Sequence, residues 1–99
     1  MAVNPQGRVF AALASMPRRQ VIAILAQTAL STTDLALRFG VSAPAVSRHL
    51  SVLQRAGLIA GERQGQRVLY RLRRDALLEA LARFASEVDG PLRTPRNAV

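Results

Sequence analysis

The chain of 99 residues has no cysteine and no lysine, and few of its residues are aromatic or acidic. The lack of cysteine excludes disulfides, thiolate metal sites and thiol redox sensing. An aromatic content of 4% argues against the stacking platforms that bind single-stranded nucleic acid. The longest purely apolar run, residues 21–26, is too short to cross a bilayer, and the N-terminus does not resemble a signal peptide. The sequence therefore predicts a cytoplasmic protein with no membrane insertion.

Positive charge is in excess, with fourteen arginines against six acids and a net charge of +8. Residues 1–57 hold six arginines and one acid, residues 58–74 five and one, and residues 75–99 three and four. The charge thus precedes residue 75, where it favours association with a polyanion, although a solvated basic surface is the alternative. Hydrophobic residues make up 49% of the chain, as in a globular protein with one modest core.

Residues 31–53 have the pattern of two short helices joined by a tight turn. Ser31 and Asp34 form a capping-box pattern at the start of the first helix, and Gly40 is suited to end it. Ser42 is a good N-cap for the second helix, and Pro44 falls in its first turn, where no N–H is needed. This spacing predicts a helix-turn-helix whose second helix reads DNA.

The second helix of this motif has two contrasting faces. Val46, Leu50 and Leu53 recur at i, i+4 and i+7 and are expected to pack inward. The opposite face carries short or basic side chains that suit a DNA groove, namely Ala43, Pro44, Ser47, Arg48, Ser51 and Arg55. We predict that Ser47, Arg48 and Ser51 contact base edges.

A β-hairpin is predicted after this helix, with Leu58 and Ile59 opening its first strand and Gln64 and Gly65 at its tip. On the return strand, Val68, Tyr70 and Leu72 alternate inward, which is typical of a half-buried strand. Donors around the tip suit DNA backbone or a minor groove beside the reading helix. The complete set of predicted DNA-binding residues is Ser42, Pro44, Ser47, Arg48, His49, Ser51, Arg55, Arg63, Gln64, Gln66 and Arg67. Those assigned to phosphates are Ser42, His49, Arg55, Arg63 and Arg67.

Three further helices complete a fold that is mainly α with a small two-stranded wing. They begin at Asn4 and Pro5, at Ser15, and at Asp75, and the last ends near Val88 before Gly90. The last helix has more apolar surface than a small core can cover, which indicates a dimer interface formed by the first and last helices. Its predicted residues are Val9, Phe10, Leu13, Leu77, Leu78, Leu81, Phe84 and Val88. Residues 1–89 are thus expected to form the DNA-binding and dimerisation domain, and residues 90–99 a flexible basic tail.

Three blocks in order carry a family resemblance: ALASMPRRQVIAIL, TTDLALRFGVSAPAVSRHLSVLQRAGLI and RQGQRVLYRL. Together they resemble the ArsR family of winged helix-turn-helix bacterial repressors over nearly the whole chain. The resemblance implies a homodimer that binds a palindromic operator in double-stranded DNA. Because metal ligands are lacking, the chain is most similar to the members without a metal site, of the SdpR-like type.

Metal and catalytic sites are not predicted. His49 is the only histidine and has no second histidine or cysteine as a companion ligand. We expect it either to pack at the edge of the helix interface or to donate to a phosphate. Metal-sensing members of the family carry cysteines where this chain has Ser31 and Thr33, and others pair acids with histidine on the last helix, where no histidine occurs here. A weak carboxylate site for a cation across the dimer stays open. No hydroxyl has a base and acid partner, and no glycine loop suits phosphate, so we expect neither an enzyme nor a cofactor.

One alternative of a different class is a winged-helix interaction module that docks on a partner protein. Such a module requires an apolar hot spot on the reading face, whereas that face is small and polar. Control of a repressor by a regulatory protein partner is a separate possibility that the sequence leaves open.

Overall fold

The computed structural model describes residues 5–90. The elements in chain order are α1 (Pro5–Leu13), α2 (Met16–Leu25), β1 (Leu30–Ser31), α3 (Thr32–Phe39), α4 (Ala43–Arg55), β2 (Ile59–Gln64), β3 (Arg67–Leu72) and α5 (Arg74–Asp89). The predicted architecture of five helices with a wing is confirmed. Helix α5 begins one residue before the predicted Asp75. The predicted helix start at Asn4 and residues 91–99 of the predicted tail lie outside the described residues.

Serine caps begin three of the helices, as the sequence predicts. The hydroxyls of Ser15, Ser31 and Ser42 accept hydrogen bonds from backbone N–H groups three residues ahead, at 3.4, 3.1 and 3.3 Å. At α3 the predicted capping box is complete, because the carboxylate of Asp34 in turn accepts a hydrogen bond from the backbone N–H of Ser31 at 3.3 Å. Such caps satisfy donors that have no partner inside the helix, and each stabilises its helix by about 1 kcal/mol.

The sheet has three antiparallel strands in the order β1-β3-β2, so the prediction of two strands was incomplete. Strand β1 is missed by sequence reasoning because it has only two residues, of which Ser31 is also the N-cap of α3, and because its pairing with β3 depends on the tertiary fold. In the wing Gln64 pairs with Arg67, so the turn is Gly65 and Gln66, one residue later than predicted. Gly65 supplies the turn's positive φ of 66°, which costs glycine little.

The core lies where α1, α2, α3, α4 and the start of β2 meet. Its buried side chains are Val9, Ala12, Val21, Ile22, Leu25, Leu35, Val46, Leu50, Leu53, Leu58 and Ile59. The predicted inward face of α4 is therefore confirmed. Val9, predicted at a dimer interface, is instead only 6% exposed because α1 turns it into this core. It has little surface left for a partner.

Helix α5 contributes no buried residue to the core. Leu77 and Ala80 pack against the core's edge, and most of the helix's apolar side chains face away from it. The helix is thus only weakly anchored to the core, which bears on how the protein assembles.

Candidate nucleic-acid interface

A tight turn sets α4 against α3. Gly40 ends α3 in the left-handed conformation at φ 67°, and the N–H groups of Gly40 and Val41 both point to the Ala36 carbonyl oxygen. Ser42 follows at once as the N-cap of α4, so only three residues separate the two helices. This is the corner expected of a helix-turn-helix.

The recognition face of α4 projects into solvent from a rigid base. We use this name for Ala43, Pro44, Ser47, Arg48, Ser51 and Arg55, all of which are exposed. Leu50 and Leu53 on the opposite side are buried, which fixes the roll of the helix about its axis. Among residues 5–90, Arg48 and Arg55 have no hydrogen-bond or ion-pair partner. Their guanidinium groups are free to bind an external acceptor.

His49 faces α2 and is half-buried. Its Nδ1 lies 3.5 Å from Nη1 of Arg18. Because a guanidinium group can only donate, the imidazole accepts this hydrogen bond at Nδ1. Sequence reasoning left packing and phosphate binding open for this residue. The observed contact gives it a packing role between α2 and α4, and its predicted phosphate contact stays a prediction.

The two arginines that open α2 bind the end of α1. Arg18 donates from Nε to the Ala12 carbonyl oxygen at 2.8 Å, and Arg19 donates from Nη1 to that of Leu13 at 2.6 Å. The last carbonyls of a helix lack internal partners and carry its negative dipole end, which favours guanidinium groups there. Part of the basic charge of the sequence is therefore used inside the fold.

The wing is tied to the helix-turn-helix by Arg67. Its Nη2 lies 2.6 Å from Oδ2 of Asp34 and 3.2 Å from Oγ of Ser31. We call Ser31, Asp34 and Arg67 the wing clamp. The sequence assigns Arg67 to a phosphate, but the structure gives its guanidinium an acid within the chain. The β1–β3 pairing that brings Arg67 to Ser31 could have indicated this, had β1 been recognised.

The carboxylate of the wing clamp is stabilised in its charged form. The Ser31 backbone N–H, the Ser31 hydroxyl and the Arg67 guanidinium together hold the pKa of Asp34 below its ordinary value of 3.8. Asp34 is therefore ionised at neutral pH, and the clamp is intact there.

The tip of the wing presents Arg63, Gln64 and Gln66 to solvent. Arg63 has no hydrogen-bond or ion-pair partner within the described part of the chain. Arg71, further from the tip, forms an exposed ion pair of 3.4 Å with Glu62 on the adjacent strand. The predicted donors at the tip are thus free apart from Arg67.

A second surface is apolar and lies on α1 and α5. Leu78, Leu81, Phe84 and Val88 are all exposed. The ring of Phe10 meets that of Phe84 edge to face, with 5.3 Å between centroids and 64° between planes. Leu13 and Leu77 are partly buried against the core, so they offer less surface to a partner. We call Leu78, Leu81, Phe84 and Val88 the α5 face; apart from the contact of Phe10 with Phe84, these side chains stay largely open to solvent within residues 5–90.

Residues 5–90 contain no cluster of three or more histidine, cysteine, aspartate or glutamate side chains of the kind that holds a metal ion. Over the same residues, none of the helices is long and apolar enough to cross a membrane.

Known proteins match both the sequence and the fold. A family profile described as "Bacterial regulatory protein, arsR family" matches residues 17–60. The transcriptional repressor SdpR of Bacillus subtilis is 32% identical over 73 residues, which is 74% of this chain and 81% of SdpR. Several Mycobacterium tuberculosis regulators also match, and the chain spans 51% to 65% of their length.

Solved structures agree with these relatives. An ArsR-like transcriptional regulator from Rhodococcus sp. RHA1 superposes with a TM-score of 0.76 at 32% identity, covering 86% of this chain and 83% of that one. The homodimeric winged helix-turn-helix DNA-binding domain of Mb0332 from Mycobacterium bovis superposes with a TM-score of 0.72 at 28% identity, covering 92% and 86%. From its helix-turn-helix, its wing and these matches, the chain is a member of the ArsR family of bacterial regulatory proteins.

Proposed function

We propose that this ArsR-family protein is a homodimeric repressor that binds a palindromic operator in double-stranded DNA. The observation that carries the proposal is the recognition face, where Arg48 and Arg55 stand unpaired on a helix whose other side is fully packed. The repressor function of SdpR and the homodimeric DNA-binding domain of Mb0332 support it. In this view residues 1–89 form the DNA-binding and dimerisation unit and the chain acts in the cytoplasm.

Each α4 would enter a major groove of the duplex. The two half-sites would lie about 34 to 36 Å apart, which is one helical turn, so that both grooves open on the same face of the DNA. Ser47, Arg48 and Ser51 reach base edges in this arrangement, since a guanidinium can bind O6 and N7 of guanine together. Arg55 and Arg63 bind phosphates on either side and set the position of the helix. Arg67 acts through the wing clamp by fixing where Arg63 lies.

The dimer would bury the α5 face. Leucine, phenylalanine and valine side chains that are 41% to 71% exposed gain on the order of 1 kcal/mol each when the rest of their surface leaves water. Four such residues on each protomer offset the several kcal/mol that association costs in lost freedom of motion. The twofold symmetry of this interface matches the palindrome proposed for the operator.

Release of the operator would then not depend on a metal ion bound by cysteine or histidine ligands. The chain has no cysteine, and its one histidine is engaged with Arg18. An enzymatic role has no support among the described side chains, since none forms a nucleophile and base pair. Docking on a partner protein is not favoured either, because the recognition face has no large apolar side chain.

The direct test is fluorescence anisotropy with DNA from the gene's own upstream region and with a shuffled duplex, at several salt concentrations. A specific repressor prefers the native duplex by about a thousandfold or more, and its affinity falls as salt rises. Equal affinity for both duplexes would place the operator elsewhere. Binding to neither would refute the proposal.

Arg48→Ala refines this test at the base-reading step. If Arg48 reads a guanine, the variant loses about 1 to 3 kcal/mol of binding free energy and discriminates less at one base pair. An unchanged preference at every operator position would remove Arg48 from the set of base-reading residues.

A further inference from the structure

The described arginines divide into a paired and an unpaired set. Seven bind acceptors within the chain: Arg18, Arg19, Arg73 and Arg74 donate to carbonyl oxygens, and Arg67, Arg71 and Arg83 pair with carboxylates. The five that have no such partner in residues 5–90 are Arg8, Arg38, Arg48, Arg55 and Arg63. The α4 and wing arginines of this second set already have predicted roles in DNA binding, whereas Arg8 on α1 and Arg38 on α3 have none.

Arg8 and Arg55 line one groove between α1 and the end of α4. The groove has a volume of about 340 Å³ and is completed by Ala11, Val52 and Ala56. No acidic side chain is among these lining residues. We call this the α1–α4 groove.

Two guanidinium groups on one groove repel each other unless an anion lies between them. Seven of the twelve arginines in residues 5–90 lie against carbonyl oxygens or carboxylates, whereas neither arginine of this groove does. The small side chains of Ala11 and Ala56 leave the groove between the two arginines open to a bulky oxyanion. Arginine binds phosphate oxygens through two parallel N–H bonds, which fits this arrangement.

The α1–α4 groove is continuous with the recognition face. Arg55 follows Arg48 by seven residues, which is close to two helical turns, so both project from the same side of α4. A duplex seated on Arg48 therefore passes the end of α4 where the groove opens. This continuity favours a phosphate of the DNA backbone over a separate small anion.

We propose that Arg8 and Arg55 jointly bind one backbone phosphate of the duplex, so that α1 belongs to the DNA interface. This inference rests on the proposed DNA-binding function and adds a residue to it from an element outside the helix-turn-helix. The contact carries no sequence information, because every duplex offers the same phosphate. Its task is to position the C-terminal end of α4.

The test compares Arg8→Gln with Arg38→Gln, which removes the same charge from an exposed, unpaired arginine outside the groove. Affinity for a mixed-sequence duplex of about 30 base pairs, long enough for two half-sites, is measured by anisotropy. The salt series runs from about 50 to 200 mM. Since Arg8 has no partner within residues 5–90, both variants should keep the wild-type melting temperature, which is checked first.

We expect Arg8→Gln to lower the magnitude of the slope of log affinity against log salt by about 1.8, from one lost phosphate contact in each protomer. Arg38→Gln should leave the slope unchanged. Because one phosphate is shared, Arg8→Gln combined with Arg55→Gln should lower the slope no further than either single change.

Three results would overturn this inference: a wild-type slope in Arg8→Gln, an equal loss in Arg38→Gln, or additive losses in the double variant. A second arm adds inorganic phosphate at constant ionic strength and follows thermal stability. Stabilisation that Arg8→Gln abolishes while its DNA slope stays unchanged would assign the groove to a free anion instead. If the wild-type chain bound no duplex at any salt concentration, the proposed function itself would fail.

Discussion

Replacement of Phe84 by alanine tests how the α5 face is used. The ring is 49% exposed in the single chain, so about half of its surface remains to be buried by a partner. Complete burial of such a side chain contributes about 1.5 to 3 kcal/mol, and half of that from each of two protomers gives about 1.5 to 3 kcal/mol per dimer. At 1.4 kcal/mol for each tenfold change, Phe84→Ala should raise the dimer dissociation constant about ten- to a hundredfold.

The assay is sedimentation equilibrium over a range of protein concentrations, with melting temperature followed over the same range. A dimer that stabilises its subunits melts at a higher temperature when it is more concentrated, and the variant should lose part of this dependence. Phe84→Ala also removes the edge-to-face contact with Phe10, so some loss of stability should persist in the monomer.

Leu37→Ala is the matched control. Leu37 is 79% exposed, but it lies on α3, away from the α5 face. Its removal should leave the dissociation constant unchanged. The reasoning is refuted if both variants weaken the dimer equally, or if Phe84→Ala dimerises as tightly as the wild type.

Three further predictions concern stability. Leu35→Ala empties a fully buried position and should cost about 2 to 5 kcal/mol in urea unfolding, and a cost below 1 kcal/mol would contradict the assigned core. Asp34→Asn should lower the free energy of unfolding at neutral pH. The difference from the wild type should vanish as the pH falls below 3.8 and through the lowered pKa that Asp34 has in the folded state, because the wild-type carboxylate then becomes protonated. A difference in stability that persists in acid would refute the wing clamp. Gly61→Ala brings a Cβ to 2.9 Å from Val68 Cγ1 and 3.1 Å from Tyr70 Cε1, which should cost about 1 to 3 kcal/mol, and an unchanged melting temperature would show that the wing adapts.

Local chemistry made the helix-turn-helix predictable. The N-caps at Ser31 and Ser42, the glycine that ends α3 and the spacing of apolar residues on α4 act within a few residues of one another. Such signals do not depend on how distant segments pack. The exposed recognition face follows from the same periodicity, since the side of α4 that is not buried must face outward.

Features that depend on distant pairing were missed. Strand β1 exists because β3 lies beside it, and two residues alone have no strand signature. The ion pair of Arg67 with Asp34 follows from that pairing and was therefore missed, while the predicted contact of Arg67 with a phosphate stays a prediction. For Val9, the apolar stripe of α1 was correctly recognised, but periodicity does not show whether the chain's own core or a second copy covers a given position.

The wing clamp bears on which partner changes shape when protein and DNA meet. Because Arg67 binds the N-terminus of α3, it restrains the wing against the helix-turn-helix and so restrains the separation between major-groove and flanking contacts before binding. The more this restraint holds, the more the duplex has to bend or adjust its groove width to fit. Two operators that offer the same base contacts would therefore differ in affinity if the base-pair steps between those contacts differ in flexibility.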